Sequence, residues 1–425
     1  MTLRIVAALL LPVLLFPSLL PGAEDTVADK LLEAARKGDV PSQVKLAAEY
    51  FSGRNRVVNP HLGAYWFRKA AGSGDAFARY NYALCLLNGW GVKKSAQTAF
   101  LWLGRAAEQN FIPAQILHAE MLFNGVAAEE SDDYRLPQIA SDRETALKTL
   151  RKLAVAGSPA ASGKLARLLL SVPELRDSAA QEIRSAASFA ASKLKRDPEV
   201  ILLYSAVLQG GIGGSCDMKA AAALLEGIVD ISPEAAAQLA EFYEFGFGVP
   251  ADRKKALELT LKAAASGSPR AMISLGNRCL DGNGVEHDPA KAFQLFDKAW
   301  RTGYPRSASA LGKCYLNGIG TGKDPARAFE LFLMGAHAGD PESQYQLGLC
   351  FMGAVGTRMD IKSGAYWLKV ASQSFHTEAM REYALCLLEG KGVEADRVQA
   401  AKLLRRSAAR GDVKSVEVLN RESIQ

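Results

Sequence analysis

Six cysteines, five histidines, two Ser-x-x-Lys pairs and one glycine-lysine loop are the residues of this chain whose types and spacing could do chemistry. An even cysteine count in an exported chain would suit a disulfide framework. However, Cys85, Cys314, Cys350 and Cys386 fall at one position of a repeating pattern, on equivalent faces of elements stacked roughly 8–10 Å apart. A disulfide needs Cα atoms within about 7 Å. Free, buried thiols are the expectation.

Ser42–Lys45 and Ser192–Lys195 each set a lysine one helical turn from a hydroxyl. The companion Ser-Asp-Asn and Lys-Thr-Gly elements of serine acyl-transfer sites are missing from the sequence. Gly318-Ile319-Gly320-Thr321-Gly322-Lys323 has the look of a phosphate loop, but it follows a helical pattern rather than a strand. Asp324 also stands where a hydroxyl would meet magnesium. His61, His118, His287, His337 and His376 show no ligand spacing. The sequence therefore predicts no catalytic constellation, no cofactor site and no metal site.

The elements that would position such residues are helices. Alanine and leucine are abundant and β-branched residues sparse, with 49% hydrophobic and 23% charged residues. Blocks begin at Val40, Ala76, Ile112, Pro159, Pro198, Pro233, Pro269, Pro305, Pro341 and Thr377, spaced by 36 residues from Pro233 onward. The eighth position is small, as at Ala83, Ser205, Ala240, Gly276, Gly312 and Gly348, so two helices can approach closely there. Paired glycines such as Gly89/Gly91, Gly246/Gly248 and Gly318/Gly320 end a first helix. Asp217, Asp252, Asp288, Asp324, Asp360 and Asp396 then occupy N-cap positions of a second helix. A large residue at Trp66, Trp102, Leu224, Leu259, Leu295, Leu331, Trp367 and Leu403 is expected to face its core. A helix pair of this kind buries its apolar face only by stacking on its neighbours.

The pattern resembles the Sel-1-like repeat family, relatives of the tetratricopeptide repeat. It is carried by Leu311 to Gly320, by Asp324, Ala328 and Gly339, and by the closing segments Ala70–Asp75 and Lys262–Gly267. The resemblance implies an all-α, right-handed α-solenoid of about ten 36-residue helix-turn-helix repeats. Residues 24–39 and 413–425 read as an N-terminal capping helix and a C-terminal capping helix with its tail, and 233–412 as regular repeats. Residues 40–158 hold three repeats with an acidic insertion at 126–142 containing Glu129, Glu130, Asp132, Asp133 and Tyr134. Residues 159–232 are degenerate, and Leu170-Ser171-Val172-Pro173 replaces a glycine turn, which suggests a joint there.

Residues 1–23 read as a secretory signal peptide: Arg4, an apolar run from Ile5 to Leu20, then Pro21-Gly22-Ala23. The mature chain is then secreted or periplasmic; Pro21 is an unusual residue before the cut, and a retained leader would anchor the chain instead. The net charge of +6 is mild for this length and points away from nucleic acid.

The family resemblance further implies protein partners held on the concave face, which the first helices line. That assigns partner binding to Tyr80, Asn81, Gln238, Ser274, Tyr345, Gln346 and Glu382. Some cysteine-rich relatives are penicillin-binding or penicillin-hydrolysing, so a hydrolase or cell-wall-binding protein is the alternative reading, and an envelope or polysaccharide-export assembly factor another. Those relatives carry two cysteines per repeat, a pair missing here.

Overall fold

The computed structural model describes residues 24–127, 129–130, 135–136 and 138–422; the leader segment 1–23 lies outside them. The chain divides into two compact units, Met1–Cys216 and Asp217–Gln425. The division falls in the glycine-rich turn of the fifth block, after the Val172–Pro173 break where the sequence suggests a joint. Each unit is a helical-repeat array in which every helix packs on the next.

In the first unit the first helices are Val40–Ser52, Ala76–Asn88, Ile112–Asn124, Pro159–Ser171 and Pro198–Gln209. In the second they are Pro233–Phe245, Pro269–Asp281, Ser307–Asn317, Pro341–Gly353 and Thr377–Glu389. Nine of these ten begin where the blocks do. The exception starts at Ser307 rather than Pro305; Tyr304 precedes it, where other repeats have a capping oxygen such as Asp340, which accepts the Ser343 N–H at 2.9 Å.

The aspartate caps form as expected. Asp252, Asp288, Asp324 and Asp396 accept backbone N–H groups of Lys255, Lys291, Arg327 and Gln399 at 3.0, 2.9, 3.0 and 2.8 Å. Each satisfies a donor that the first turn leaves orphaned. In the paired-glycine turns, the second glycine does more than turn the chain. A Cβ on Gly91 or Gly320 would lie 2.1 Å from the carbonyl oxygen of Pro60 or Pro289, so the turn of one repeat rests directly on the backbone of its predecessor.

In most repeats the fully buried residue lies one position later than the sequence suggests, although Trp66 and Leu331 of the expected series are buried as well. Phe67, Leu103, Leu225, Phe296, Phe332, Leu368 and Leu404 are almost fully buried. Of the expected series just before them, Trp102, Leu224, Leu259, Leu295, Trp367 and Leu403 are only partly covered. The buried residue faces the small eighth position, and its register is set by the crossing of two helices rather than by the spacing within one.

Three departures concentrate in the first unit. The insertion forms a ribbon, Glu129–Glu130 antiparallel to Arg135–Leu136, closed at its base by a bridge between Val126 and Ile139. Asp132, Asp133 and Tyr134 lie outside the described residues. Where the fourth block lacks its glycine turn, a short helix, Pro173–Ser178, precedes the second helix Ala180–Lys193. Cys216 is exposed, unlike the other five cysteines, because it sits in a turn and not on a helix face.

Candidate functional site

Within the second unit the first helices Pro233–Phe245, Pro269–Asp281, Ser307–Asn317 and Pro341–Gly353 touch one another in succession, whereas successive second helices make less contact. The array therefore turns its first helices inward. The candidate residues all lie on such helices.

Asn81 departs from expectation. It is 2% exposed, and its Nδ2 donates to the Phe77 carbonyl at 2.8 Å, so it is spent inside the repeat. Tyr80, beside it, is half-buried with its ring 5.5 Å from Phe111, and burial raises its phenol above the usual range. Gln238 and Ser274 are half-buried on neighbouring first helices.

The structure brings Tyr345, Gln346 and Glu382 into one neighbourhood, with Gln346 on the Glu342 carboxylate and Glu382 near the Tyr345 phenol. Tyr345 stacks on His376 with centroids 4.7 Å apart, and burial, then Glu382, pushes its phenol up to about 12. Gln346 donates to Glu342 at 2.8 Å. Glu342 also receives Lys313 Nζ at 2.7 Å and His376 Nε2 at 2.9 Å. Burial pushes the Glu342 carboxyl up, but the hydrogen bonds from His376, Lys313 and Gln346 outweigh it and hold the group at about 2. Glu382 pairs with Arg381, which is 8% exposed and reaches Asp412 at 2.7 Å.

Glu342, His376, Arg381 and Asp412 escape sequence reasoning, although His376 and Asp412 occupy the residue just before a block, where Asp39, Asp75 and Asp340 cap helices. His376 caps likewise, its Nδ1 accepting the Ala379 N–H at 3.2 Å. Similar pairs, Arg167–Glu199 at 3.0 Å and Arg270–Glu241 at 3.2 Å, join adjacent first helices elsewhere. This face is polar, but much of its charge is satisfied between repeats.

A family model for the Sel1 repeat matches residues 40–75, 76–111, 233–268, 269–300, 305–340, 341–374 and 377–412. The chain belongs to the Sel1 repeat family. The unmatched blocks, those from Ile112, Pro159 and Pro198, include the ones that carry the ribbon and the extra helix. Among solved structures, c5321, a protective antigen of uropathogenic Escherichia coli strains displaying an SLR fold, is 21% identical with a TM-score of 0.49. That alignment covers 93% of this chain and 91% of the antigen. A Sel1 repeat protein from Oxalobacter formigenes is 22% identical with a TM-score of 0.44, covering 61% of this chain and 96% of its own. No curated protein matches the chain.

Sel1 repeat proteins are generally scaffolds for protein–protein interaction, and the residues considered for chemistry fit that role here. Ser192 Oγ donates to the Phe189 carbonyl at 2.7 Å, and Lys195 is exposed to solvent. Ser42 lies under the Asp39 cap, with Lys45 pointing outward. Lys323 is an exposed turn residue ahead of the Asp324 cap. His61 and His287 each bond a backbone carbonyl, of Gly91 and Leu280, as turn supports in their Sel1 repeats. The buried thiols of Cys85, Cys314, Cys350 and Cys386 are pushed up to about 12, 11, 11 and 11 by desolvation, which disfavours the reactive thiolate.

Proposed function

We propose that this Sel1 repeat protein is an exported scaffold, secreted or periplasmic, that holds a segment of a partner protein along the inward face of its first helices. The supporting observation is the mutual contact of successive first helices from Pro233–Phe245 to Pro341–Gly353, continued to Thr377–Glu389 through the Glu342–His376 bond, which makes one surface from helices that would otherwise be separate. Tyr345, Gln346 and Glu382 stand on that surface, held in place by the bonds to Glu342, His376 and Arg381. A side chain fixed before binding loses little entropy when a partner arrives. The apolar leader at residues 1–23 supports export.

Crosslinking in intact cells, affinity purification and mass spectrometry test this reading, with wild type beside the double variant Tyr345→Ala, Glu382→Lys. Circular dichroism checks that the variant keeps its helices. Specific envelope proteins recovered with wild type and lost with the variant are the expected result. Equal recovery with both overturns the inward-face assignment. A pool of the chain that fractionates with the cytoplasm overturns export.

A further inference from the structure

Eight of the ten repeats close on a residue in the left-handed region, seven of them through Gly74 at φ 101°, Gly157 at 87°, Gly267 at 96°, Gly303 at 81°, Gly339 at 84°, Gly411 at 94° and Asn110 at 60°. In the repeat from Pro341 that residue is Phe375, at φ 62°. A bulky residue there is an outlier, and such strain persists where the side chain has a use. Core packing is not that use, because Phe375 is 47% exposed.

Its ring holds two guanidinium groups instead. Arg406 lies 4.2 Å and Arg410 5.5 Å from the ring centroid. Lys402 precedes Arg406 by one helical turn, on the same side of Arg397–Ala408. The ion pairs of this corner go to Arg381–Asp412 and Arg397–Glu422, and Lys402, Arg406 and Arg410 pair with no carboxylate among the described residues. Between Arg397 and Lys414 the chain carries six basic residues and a single acidic one, Asp412, which is already paired. A chain with a mild net charge thus concentrates uncompensated cations around one exposed ring.

We propose that Phe375, Lys402, Arg406 and Arg410 form a docking site for an acidic segment of a partner protein. The proposal rests on the protein-scaffold reading and adds to it a second contact point next to the Tyr345–His376 cluster. Guanidinium groups held by an aromatic ring are pre-set to donate bidentately to carboxylates. The exposed part of the ring takes an apolar side chain of the same segment. The site is one repeat wide and offers a single stacking ring. A peptide with two or three carboxylates fills it, whereas single-stranded nucleic acid binds through successive rings and a long basic track.

Fluorescence anisotropy of the full mature chain tests this with a labelled Glu-Glu-Trp-Glu-Glu peptide, its Lys-Lys-Trp-Lys-Lys counterpart and a labelled oligouridylate, at low and moderate salt. Wild type is expected to bind the acidic peptide in preference to the basic one. Arg406→Glu with Arg410→Glu weakens that binding by about tenfold or more. Arg397→Glu, a reversal away from the ring, leaves it within about twofold. Phe375→Gly is the decisive variant: relief of the left-handed strain raises the unfolding midpoint while acidic-peptide binding falls. A structural role alone would not move those two readouts in opposite directions.

The proposal is overturned if the acidic peptide binds no better than the basic one, or if the arginine and Phe375 variants bind it like wild type. Tighter binding of oligouridylate with the same arginine dependence also overturns it, in favour of nucleic acid. If partners recovered from cells persist with the arginine variant but vanish with the Tyr345/Glu382 variant, this site fails while the scaffold reading stands.

Discussion

Gly276 lies directly against Phe296: a Cβ on the glycine would sit 2.4 Å from the phenylalanine ring. Gly312 and Phe332 repeat the relationship at 2.5 Å. The ring is almost fully buried in both repeats, so neither partner has room to yield. Against a leucine the approach is less tight: a Cβ on Gly348 would lie 2.8 Å from Leu368. Gly276→Ala is therefore expected to destabilise the second unit by about 1–3 kcal/mol through overpacking, despite alanine's better helix propensity. Adding Phe296→Leu should restore most of the loss. Urea unfolding of the two variants checks this, and a double variant no more stable than Gly276→Ala alone refutes the pairing.

Gly320 and Gly322 share a turn but not a constraint. Gly320 has φ 66° and would place a Cβ 2.1 Å from the Pro289 carbonyl, whereas a Cβ on Gly322 meets nothing within 4 Å. Gly320→Ala should cost about 3 kcal/mol, from left-handed strain and the forced separation of two repeats. Gly322→Ala should be neutral or stabilise by less than about 1 kcal/mol. Thermal unfolding of the pair separates contact from turn propensity.

Ala354 occupies a first-helix C-cap at φ 53°, where equivalent positions hold Gly246, Gly282, Gly318 and Gly390. Ala354→Gly is expected to stabilise by about 1 kcal/mol, because relief of the left-handed alanine exceeds the added freedom of the unfolded chain. An unchanged or lowered melting temperature would contradict this.

Glu342 links stability to acid. Its carboxyl lies at about 2 in the folded chain, against an ordinary 4.5. A depressed folded value means the carboxylate stabilises the fold above about pH 4.5, and that contribution is lost as pH falls towards 2. Glu342→Gln should remove roughly 2 kcal/mol at neutral pH, allowing for its part exposure, and almost nothing near pH 2. Unfolding midpoints across this range should converge for variant and wild type as pH falls. Parallel curves would show that the Lys313 and His376 contacts do not set the carboxyl's affinity for protons.

The candidate face was legible in part. Tyr345, Gln346 and Glu382 stand where their block positions suggest, but the same position buries Asn81 because its amide turns back to the Phe77 carbonyl. The core slot was misplaced by one residue in most repeats, though not at Trp66 or Leu331: Trp102 is large and periodic, yet Leu103 is the fully buried one. Within one helix both choices are equally amphipathic, and the crossing with its partner helix decides between them. The ribbon at Val126–Ile139 had no alternating pattern to announce it.

The sequence by itself determined the repeat length, the helix ends and the turns, because a glycine in the left-handed region and an aspartate capping its own helix act within a few residues. Tertiary structure decided which polar groups remain for a partner. Glu342 finds His376 one repeat away, Arg381 finds Asp412 across a helix pair, and Phe375 holds Arg406 in the following repeat. These pairings depend on how far each repeat is rotated and advanced on the last, a geometry set by the packing of many side chains at once and not readable from any single segment.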